Sequence, residues 1–371
     1  MKIKLKNTPE QVELIKAMAS RDVGVAREAT EAFAAFIGPV VSKVLMQAGT
    51  ASAIYTDAPY DEDDSPSLPL DLYFDQGQDY TTVWSQNVAG GLPSSTVEGF
   101  SELKVSTYRL DSAVSFLKRY ARRGRIDVVG KAVERMSNEV LVKQERNAWA
   151  VVLKALAEAR SQYTTSANFT ADVTNGHVIA STAANTFQLA DLNNLMTLVK
   201  RINTSYAGGT TVDTYGLTDL FVSPEIKADV RAFAYQPFTT NSSPTAGTNL
   251  PDGVREEIYR NAGVQEIYGV TLHELVELGY NAKYSQLYNA LVAAAGQTAL
   301  GGGELAIGLD LSREGFIRPV ARQAESGGTF NVLPDDQFVS RSEKTGFYGF
   351  LEEGRVCIDA RTIVGLRVKD S

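Results

Sequence analysis

The sequence predicts an α+β fold, in which helices and strands occupy different parts of the chain. The first observation is one long helical pattern from Asp127 to Arg160. The second is a pair of alternating runs ahead of it, and the third is a C-terminal part rich in short strands. A chain of 371 residues with 44% hydrophobic residues is long enough for one large or two ordinary domains.

The long helix is predicted from apolar residues at three- and four-residue steps, beginning with Val129, Val133 and Met136. No proline interrupts the pattern, and Asp127 is placed to cap the first turn. At about 1.5 Å per residue, the helix extends over about 50 Å. That length suits a structural strut, although the same pattern also fits a long core helix.

Ahead of this helix, two alternating runs predict a long β-hairpin. Tyr80–Val88, with Trp84 on one face, and Phe100–Tyr108 are separated by a connection rich in Gly, Pro and Ser. A two-stranded ribbon is only marginally stable alone, so it needs a surface on its own chain or on another subunit. The turn at the tip of the ribbon is Gly90, Gly91, Leu92 and Pro93, and these four residues and Trp84 are hypothetical contacts to another subunit.

Two further helices, followed by a third short one, are expected before the hairpin. Thr8 followed by Pro9 is a typical helix start. A second helix follows Asp22 and is expected to end at Gly38 and Pro39, with a further short helix over Val40–Met46.

Downstream of Arg160 the pattern is that of a separate α+β region. A helix is predicted over Asp191–Ile202, and a buried strand over Thr218–Val222 leads into a helix capped by Ser223. Val264–Leu272 is predicted to be a strand that bends at Gly269. The predicted C-terminal strands are Glu304–Ser312, Phe316–Val320, Gln337–Arg341, Thr345–Leu351, Arg355–Asp359 and Thr362–Val368, with a turn at Glu352–Gly354.

Charge and composition exclude several classes of protein. The net charge of −8 disfavours a protein that wraps nucleic acid. The basic first residues lack a following apolar segment, so no secretory signal is expected, and no apolar run has the length of a membrane span. With Cys357 as the single cysteine, no intramolecular disulfide is possible.

Two charged segments are candidate contact sites. The acidic segment, Asp57–Asp64, lacks the glycine and the distal glutamate of an EF-hand, so a solvated loop is favoured over a calcium site. The basic segment, Lys118–Arg125, fits a nucleic-acid patch, a solvated face, or a surface that pairs with the acidic segment of another subunit. The residues of this hypothetical intersubunit pairing are Arg122, Arg123, Arg125, Asp61, Asp63 and Asp64.

The sequence contains no recognisable catalytic motif. His177 and His273 have no Cys or His neighbours at metal spacing, so each is interpreted as a core or surface histidine. Cys357 lies in an apolar strand, and Asp310, the one candidate catalytic carboxylate, follows a strand where aspartates commonly cap turns. We therefore predict no catalytic residue, no cofactor and no metal, with an enzyme that has an unrecognised site as the alternative.

The order of these elements resembles that of the major capsid proteins of tailed phages, the Hong Kong 97-type fold. Asp79–Glu102 resembles the extended loop of that family, and Asp127–Arg160 resembles the spine helix of its peripheral domain. Leu220–Glu225 is similar to the axial domain, and Gly308–Leu311 is similar to a late strand that returns through both domains. The resemblance implies that residues 1–48 form an N-terminal arm, residues 49–78 begin the peripheral domain, and residues 79–109 form the extended loop. It also implies that residues 110–165 form the peripheral domain with the spine helix, residues 166–300 form the axial domain, and residues 301–371 contain the returning strands.

The function implied by the resemblance is structural. Copies of the chain are expected to form hexamers and pentamers of an icosahedral shell that encloses double-stranded DNA without reading its sequence. The expected location is the virion, after assembly in the host cytoplasm without a membrane. Expected partners are other copies, a portal, decoration proteins and a separate scaffolding protein. Val83–Glu102 contains no lysine, so the cross-link that some members form from this loop is not expected. The alternative with the same fold is an encapsulin-like compartment.

Overall fold

The computed structural model describes residues 8–47, 49–61, 64–70, 101–161, 170–183, 185–202, 216–232, 253, 256, 266–298, 303–322, 329–335 and 343–368. Several sequence predictions lie outside these residues. They are the hairpin run Tyr80–Val88, the strand Gln337–Arg341, and the contact residues Asp63, Trp84, Gly90, Gly91, Leu92 and Pro93.

The described chain contains both α-helices and β-strands, and several strands follow one another in runs, as expected for an α+β fold. The helices are α1 (Pro9–Met18), α2 (Val23–Gln47), α3 (Lys118–Arg122), α4 (Ile126–Glu158), α5 (Leu189–Ile202), α6 (Pro224–Ala232) and α7 (Lys283–Ala294). The strands are β1 (Thr56–Asp61), β2 (Ser67–Leu70), β3 (Ser101–Lys104), β4 (Tyr108–Leu117), β5 (Val178–Ala180), β6 (Asp219–Val222), β7 (Glu266–Ile267), β8 (Val270–Glu274), β9 (Glu304–Leu309), β10 (Phe316–Arg322), β11 (Asn331–Asp335), β12 (Lys344–Glu353), β13 (Val356–Cys357) and β14 (Ile363–Val368).

The chain divides into two compact units, each built from separate segments. Unit 1 comprises Met1–Leu68, Leu103–Trp149 and Phe316–Val356. Unit 2 comprises Pro69–Glu102, Ala150–Gly315 and Cys357–Ser371. Because the chain returns to unit 1 and then to unit 2 near its end, neither unit is a continuous stretch of sequence.

Unit 1 contains a mixed sheet whose central strand is β12. The strand β4 pairs antiparallel with β12 along its whole length, from Tyr108 opposite Glu353 to Leu117 opposite Lys344. On the other side β12 pairs with β11 and β10, and β10 pairs parallel with β1. The strands β2 and β3 form a separate two-stranded sheet.

The core of unit 1 confirms the predicted long helix. Val129, Val133, Met136 and Val140 of α4 are all buried in one apolar cluster, as their spacing predicts. The prediction of Asp127 as the N-cap was wrong, because α4 begins at Ile126 and Asp127 therefore lies inside its first turn.

The second predicted helix does not end at Gly38 and Pro39. Instead, α2 continues through both residues to Gln47, although a proline inside a helix removes one backbone hydrogen bond. Phe33 and Ile37 before the proline and Val41 after it are all buried in the unit 1 core. Burial on both sides of Pro39 holds the chain in one helix, which local propensity alone does not predict.

Unit 2 is organised around a second six-stranded sheet, with the strand order β5, β14, β9, β6, β8 and β7. The helix α5 buries Leu192, Leu195 and Val199 in the core of this unit, as predicted. The predicted start of α6 is also confirmed, because the Ser223 hydroxyl accepts a hydrogen bond from the Ile226 amide at 3.1 Å.

Two features of unit 2 differ from the sequence prediction. Val264–Leu272 is not one bent strand, because β7 and β8 form a hairpin whose two turn residues, Tyr268 and Gly269, have φ values of 54° and 80°. Positive φ at both positions is typical of a type I′ turn. The helix α7 was missed, although Tyr284, Tyr288 and Val292 recur at four-residue steps and are buried.

Candidate functional site

The basic segment lies at the surface of unit 1, on α3 and the turn after it. Arg122, Arg123 and Arg125 are all exposed. Arg122 Nε lies 3.5 Å from the Ala19 carbonyl oxygen. Among the residues that the structure describes, no ion pair joins these three arginines to an acidic side chain. The segment therefore offers three exposed positive charges to a partner.

The acidic segment is not simply a loop, which corrects the sequence interpretation. Its first half is the strand β1, and Asp57 pairs with Arg318 at 3.3 Å. Asp61 is exposed at the end of β1, in register with Arg322 of β10. Asp64 is exposed, and its Oδ1 accepts a hydrogen bond from the Ser65 amide at 2.8 Å. Pairing between Asp61 or Asp64 and the basic segment of another subunit stays a prediction.

A buried ionic cluster around Glu353 joins α4 to the sheet of unit 1. The Glu353 side chain is 0% exposed, with Oε2 2.7 Å from Arg318 Nε and Oε1 3.3 Å from Arg355 Nη2. The Tyr108 hydroxyl donates to Oε1 at 2.7 Å, and Gln144 Nε2 of α4 donates to Oε2 at 3.0 Å. The sequence prediction placed Glu353 in a turn, whereas it lies in the last position of β12.

The protonation states in this cluster follow from its charges. Burial opposes ionisation of Glu353, but the positive charges of Arg318 and Arg355 outweigh it, so the pKa of this carboxyl lies below its ordinary range. Burial and the adjacent Glu353 charge raise the pKa of Tyr108 to about 12. Glu353 is therefore ionised and Tyr108 is neutral at pH 7, which lets the hydroxyl donate to the carboxylate.

Acidification is expected to destabilise unit 1 partly through this carboxylate. Since the folded-state pKa of Glu353 is depressed, its contribution is complete above the unfolded-state pKa of about 4.3 and disappears as the pH falls through the folded-state value. Urea unfolding at pH 7 and pH 3 should show a larger loss of unfolding free energy in the wild type than in Glu353→Gln. Equal losses in the two proteins would contradict the assignment.

Unit 2 contains a second buried polar cluster, built on Arg367 of β14. The Arg367 and Asp172 side chains are both 0% exposed, with Nε 3.6 Å from Oδ1. Arg367 Nη2 donates to Asn289 Oδ1 at 2.6 Å, and the Tyr288 hydroxyl donates to Asp172 Oδ2 at 3.2 Å. Burial raises the pKa of Tyr288, so its hydroxyl keeps its proton. The cluster holds α7 against the sheet of this unit.

The residues that were considered for chemistry have structural roles. His177 Nδ1 lies 2.9 Å from the Ile363 carbonyl, and burial lowers the pKa of this histidine. His273 stacks on Phe221 with ring centroids 4.8 Å apart. Burial raises the pKa of Cys357 to about 12, so its thiol is a poor nucleophile at pH 7. Asp310 accepts from the Ser312 amide at 3.1 Å and caps a turn, as predicted.

The described part of the chain lacks two kinds of feature. No group of three or more His, Cys, Asp or Glu side chains is arranged to hold a metal ion. No helix there has both the length and the apolar composition that crossing a membrane requires.

Unit 2 also has exposed apolar side chains that the sequence analysis did not identify. Val276 is 66% exposed, and Tyr268 and Tyr280 are each 54% exposed. Tyr268 occupies the hairpin turn between β7 and β8, and the other two residues follow β8. Their signal in the sequence is weak, because single apolar residues in turns are common on protein surfaces.

No protein-family model and no curated protein matches the sequence, so the comparison depends on three-dimensional structure. The chain is similar to the capsid structure of the cyanophage P-SCSP1u, with a TM-score of 0.50, 11% identity, and coverage of 86% of this chain and 87% of that chain. The capsid of the native GTA particle gives a TM-score of 0.48 at 13% identity, covering 89% and 90% of the two chains. The holo-SrpI encapsulin complex from Synechococcus elongatus PCC 7942 gives 0.43 at 10% identity, covering 85% and 86%.

Of these three structures, the cyanophage capsid alone has a TM-score of 0.50, which is high enough to support a shared fold. That match extends over most of both chains, so it includes both units and not a single motif. The predicted fold class is confirmed: the chain has an α+β fold of the kind found in a phage capsid protein.

Proposed function

We propose that this protein is a structural subunit of a capsid shell, and specifically the major capsid protein of a tailed double-stranded DNA phage. The observation that carries the proposal is the likeness to the cyanophage capsid structure over 86% of the chain. Many copies form hexamers and pentamers, and these close into an icosahedral head. The role is structural, and catalysis is not part of it.

In this proposal, unit 1 is the peripheral domain with α4 as its spine helix, and unit 2 is the axial domain. The segment 79–109 is the extended loop, and its tip residues contact a neighbouring subunit. The shell encloses DNA without sequence-specific contacts, and a separate scaffolding protein, a portal and decoration proteins assist or complete it. The negative net charge of −8 supports weak attachment of DNA to the inner wall.

Electron microscopy of the purified protein, with light scattering on the same sample, tests this proposal. Closed shells or rings of five and six subunits are the expected result, with or without a co-expressed scaffolding protein. Shells that contain DNA and require a portal distinguish a phage head from an encapsulin-like compartment, which encloses protein cargo instead. A protein that stays monomeric in the presence of its scaffold and under crowding contradicts the proposal.

Reversing the charges of the basic segment is expected to weaken assembly. In the double variant Arg122→Glu/Arg123→Glu, two exposed positive charges on α3 and its turn become negative and repel acidic residues of a neighbour such as Asp61 and Asp64. The critical concentration for shell formation, followed by light scattering at low salt, should rise by about tenfold or more.

The matched control reverses Arg135 and Arg146, which are exposed on α4 and give the same change in net charge. That double variant should assemble at nearly the wild-type concentration. High salt should reduce the difference between the two double variants, because exposed charges are screened. Equal assembly of both at low salt would remove the basic segment from the interface.

A further inference from the structure

Within the part of the chain that the structure describes, the strand β4 of the unit 1 sheet is paired along one side only. It is 10 residues long, and within the described part of the chain β12 is the one strand that pairs with it. Leu110 and Val114, on its core-facing side, are only partly buried although they pack against the core. One more strand beside β4 would cover them further.

The register fixes which amides of β4 point to the open edge. The Lys118 amide donates to the Glu343 carbonyl at 2.8 Å, directly after the pair of Leu117 with Lys344. Hydrogen-bonded and non-hydrogen-bonded pairs alternate along an antiparallel ladder. The backbone N–H and C=O groups of the even-numbered residues of β4 therefore form hydrogen bonds with β12. The N–H and C=O groups that face away from β12 belong to Arg109, Asp111, Ala113, Ser115 and Leu117.

A proline elsewhere in the same sheet agrees with this alternation. Since odd-numbered residues of β12 bond to β4, its even-numbered residues bond to β11 on the other side. Pro334 of β11 lies opposite Phe347, so its nitrogen faces away from β12. A proline, which has no N–H, is tolerated at such an outward position.

Two other outer strands of this sheet, β1 and β11, carry a device against edge-to-edge pairing. Pro334 lies inside β11, and Pro59 lies inside β1. Prolines of this kind prevent a foreign strand from pairing with an open edge. The strand β4 contains no proline. Ala113 and Ser115, whose backbone N–H groups face away from β12, have small side chains and are exposed. Among the described strands, β1 and β11 are therefore protected by a proline, whereas the longer β4 is not.

We propose that β4 pairs antiparallel with β4 of a second copy of this chain, so that two unit 1 sheets continue into each other across a twofold axis. This inference rests on the proposed function, because it names one contact through which the shell subunits associate. A second copy is the partner that fits, since its β4 has the same length, contains no proline and, among the described strands, pairs with β12 alone. Such an interface is isologous, as twofold contacts are.

The side chains of β4 permit this pairing. Outward-facing residues must lie opposite one another, so a register with nearly complete overlap places Ala113 opposite Ala113 of the partner subunit. Asp111 then lies opposite the partner's Ser115, and Arg109 lies opposite the partner's Leu117. No like charges face each other directly, which removes the main cost of pairing two identical strands.

A proline at position 113 tests the edge without breaking the internal ladder. Ala113→Pro removes an outward N–H and leaves the hydrogen bonds to β12 in place, so thermal unfolding of the dilute protein should change little. Self-association, measured by sedimentation over a range of concentrations, should weaken by about tenfold or more, because both central hydrogen bonds across the twofold are lost. The control Ala113→Thr keeps the N–H and should associate like the wild type.

Disulfide trapping identifies the partner residue directly. In a Cys357→Ser background, Ala113→Cys places two thiols on Cα atoms about 5.5 Å apart across the twofold, within the range that a disulfide spans. Mild oxidation should convert this variant to a covalent dimer, whereas Asn138→Cys on the exposed surface of α4 should remain monomeric on a denaturing gel.

The outcomes separate this inference from the proposed function. Shells that form normally with Ala113→Pro and give no Ala113→Cys dimer overturn the β4 contact and leave the capsid role intact. Slow hydrogen exchange of the Ala113 amide in the dilute monomer also overturns it, because the edge is then covered within one chain. A covalent dimer without any shell supports the contact and counts against the capsid role.

Discussion

Replacing Glu353 by alanine is expected to lower the free energy of unfolding by about 3–5 kcal/mol, since a buried ion pair loses one partner. Arg318 and Arg355 are then left in a buried site without the carboxylate that compensates them. The Tyr108 hydroxyl and Gln144 Nε2 also lose their acceptor. The loss therefore combines uncompensated charge with unsatisfied hydrogen bonds, and only a small part of it comes from lost packing.

Urea unfolding followed by circular dichroism measures this loss. Glu353→Gln keeps the shape and one acceptor oxygen, so it should lose less stability than the alanine variant. The control Glu139→Ala removes an exposed carboxylate from α4 and should change the unfolding free energy by less than about 0.5 kcal/mol. A loss of under about 1 kcal/mol in Glu353→Ala would mean that water enters the cluster and solvates both arginines.

A triple replacement separates the net contribution of the whole cluster to the unfolding free energy from the loss that follows when one member is removed. In Glu353→Leu/Arg318→Met/Arg355→Met, no buried charge remains, and such apolar replacements are often neutral or stabilising. If the triple variant regains most of the stability, the cluster contributes specificity more than net stability. It then serves to fix which residue of α4, through Gln144, lies against the end of β12.

The elements that the sequence predicted correctly are those with strong local signals. Repeated apolar spacing identified α4 and α5, and the Ser223–Pro224 pair marked the start of α6. Errors occurred where tertiary contacts outweigh local preference. Pro39 remains inside α2 because the core buries that helix on both sides of it. At Tyr268, a residue that rarely adopts positive φ forms a tight turn, so the hairpin had no recognisable signature.

The candidate sites were less predictable, because their residues are distant in sequence. Glu353 meets Tyr108, Gln144 and Arg318, which lie on different elements of unit 1. Nothing in the local sequence around Glu353 distinguishes it from Glu352, whose side chain accepts from the Thr107 hydroxyl at 2.7 Å. The open edge of β4 is equally hidden, since it follows from the register with β12 and from prolines in other strands.

Asp172→Ala is expected to destabilise unit 2 by about 3–5 kcal/mol, the usual cost of removing one member of a buried ion pair. Arg367 then keeps Asn289 and the ring of Tyr288, with its guanidinium carbon 5.3 Å from the ring centroid, but no longer has the carboxylate. Because the Arg367 side chain is 0% exposed, water cannot readily replace the lost partner. Asp172→Asn retains an acceptor oxygen and should lose less.

Hydrogen exchange resolves where this destabilisation occurs. Amides of β14 and β5, which pair with each other, should exchange faster in Asp172→Ala, whereas the exposed control Glu277→Ala should leave them unchanged. The variant Asp172→Leu/Arg367→Met removes both charges and should regain part of the loss, which makes the coupling between the two residues measurable. If Asp172→Ala instead accelerates exchange across β4 and β12 equally, the two units unfold as one cooperative structure. If the faster exchange is confined to β14 and β5, each buried cluster stabilises its own unit.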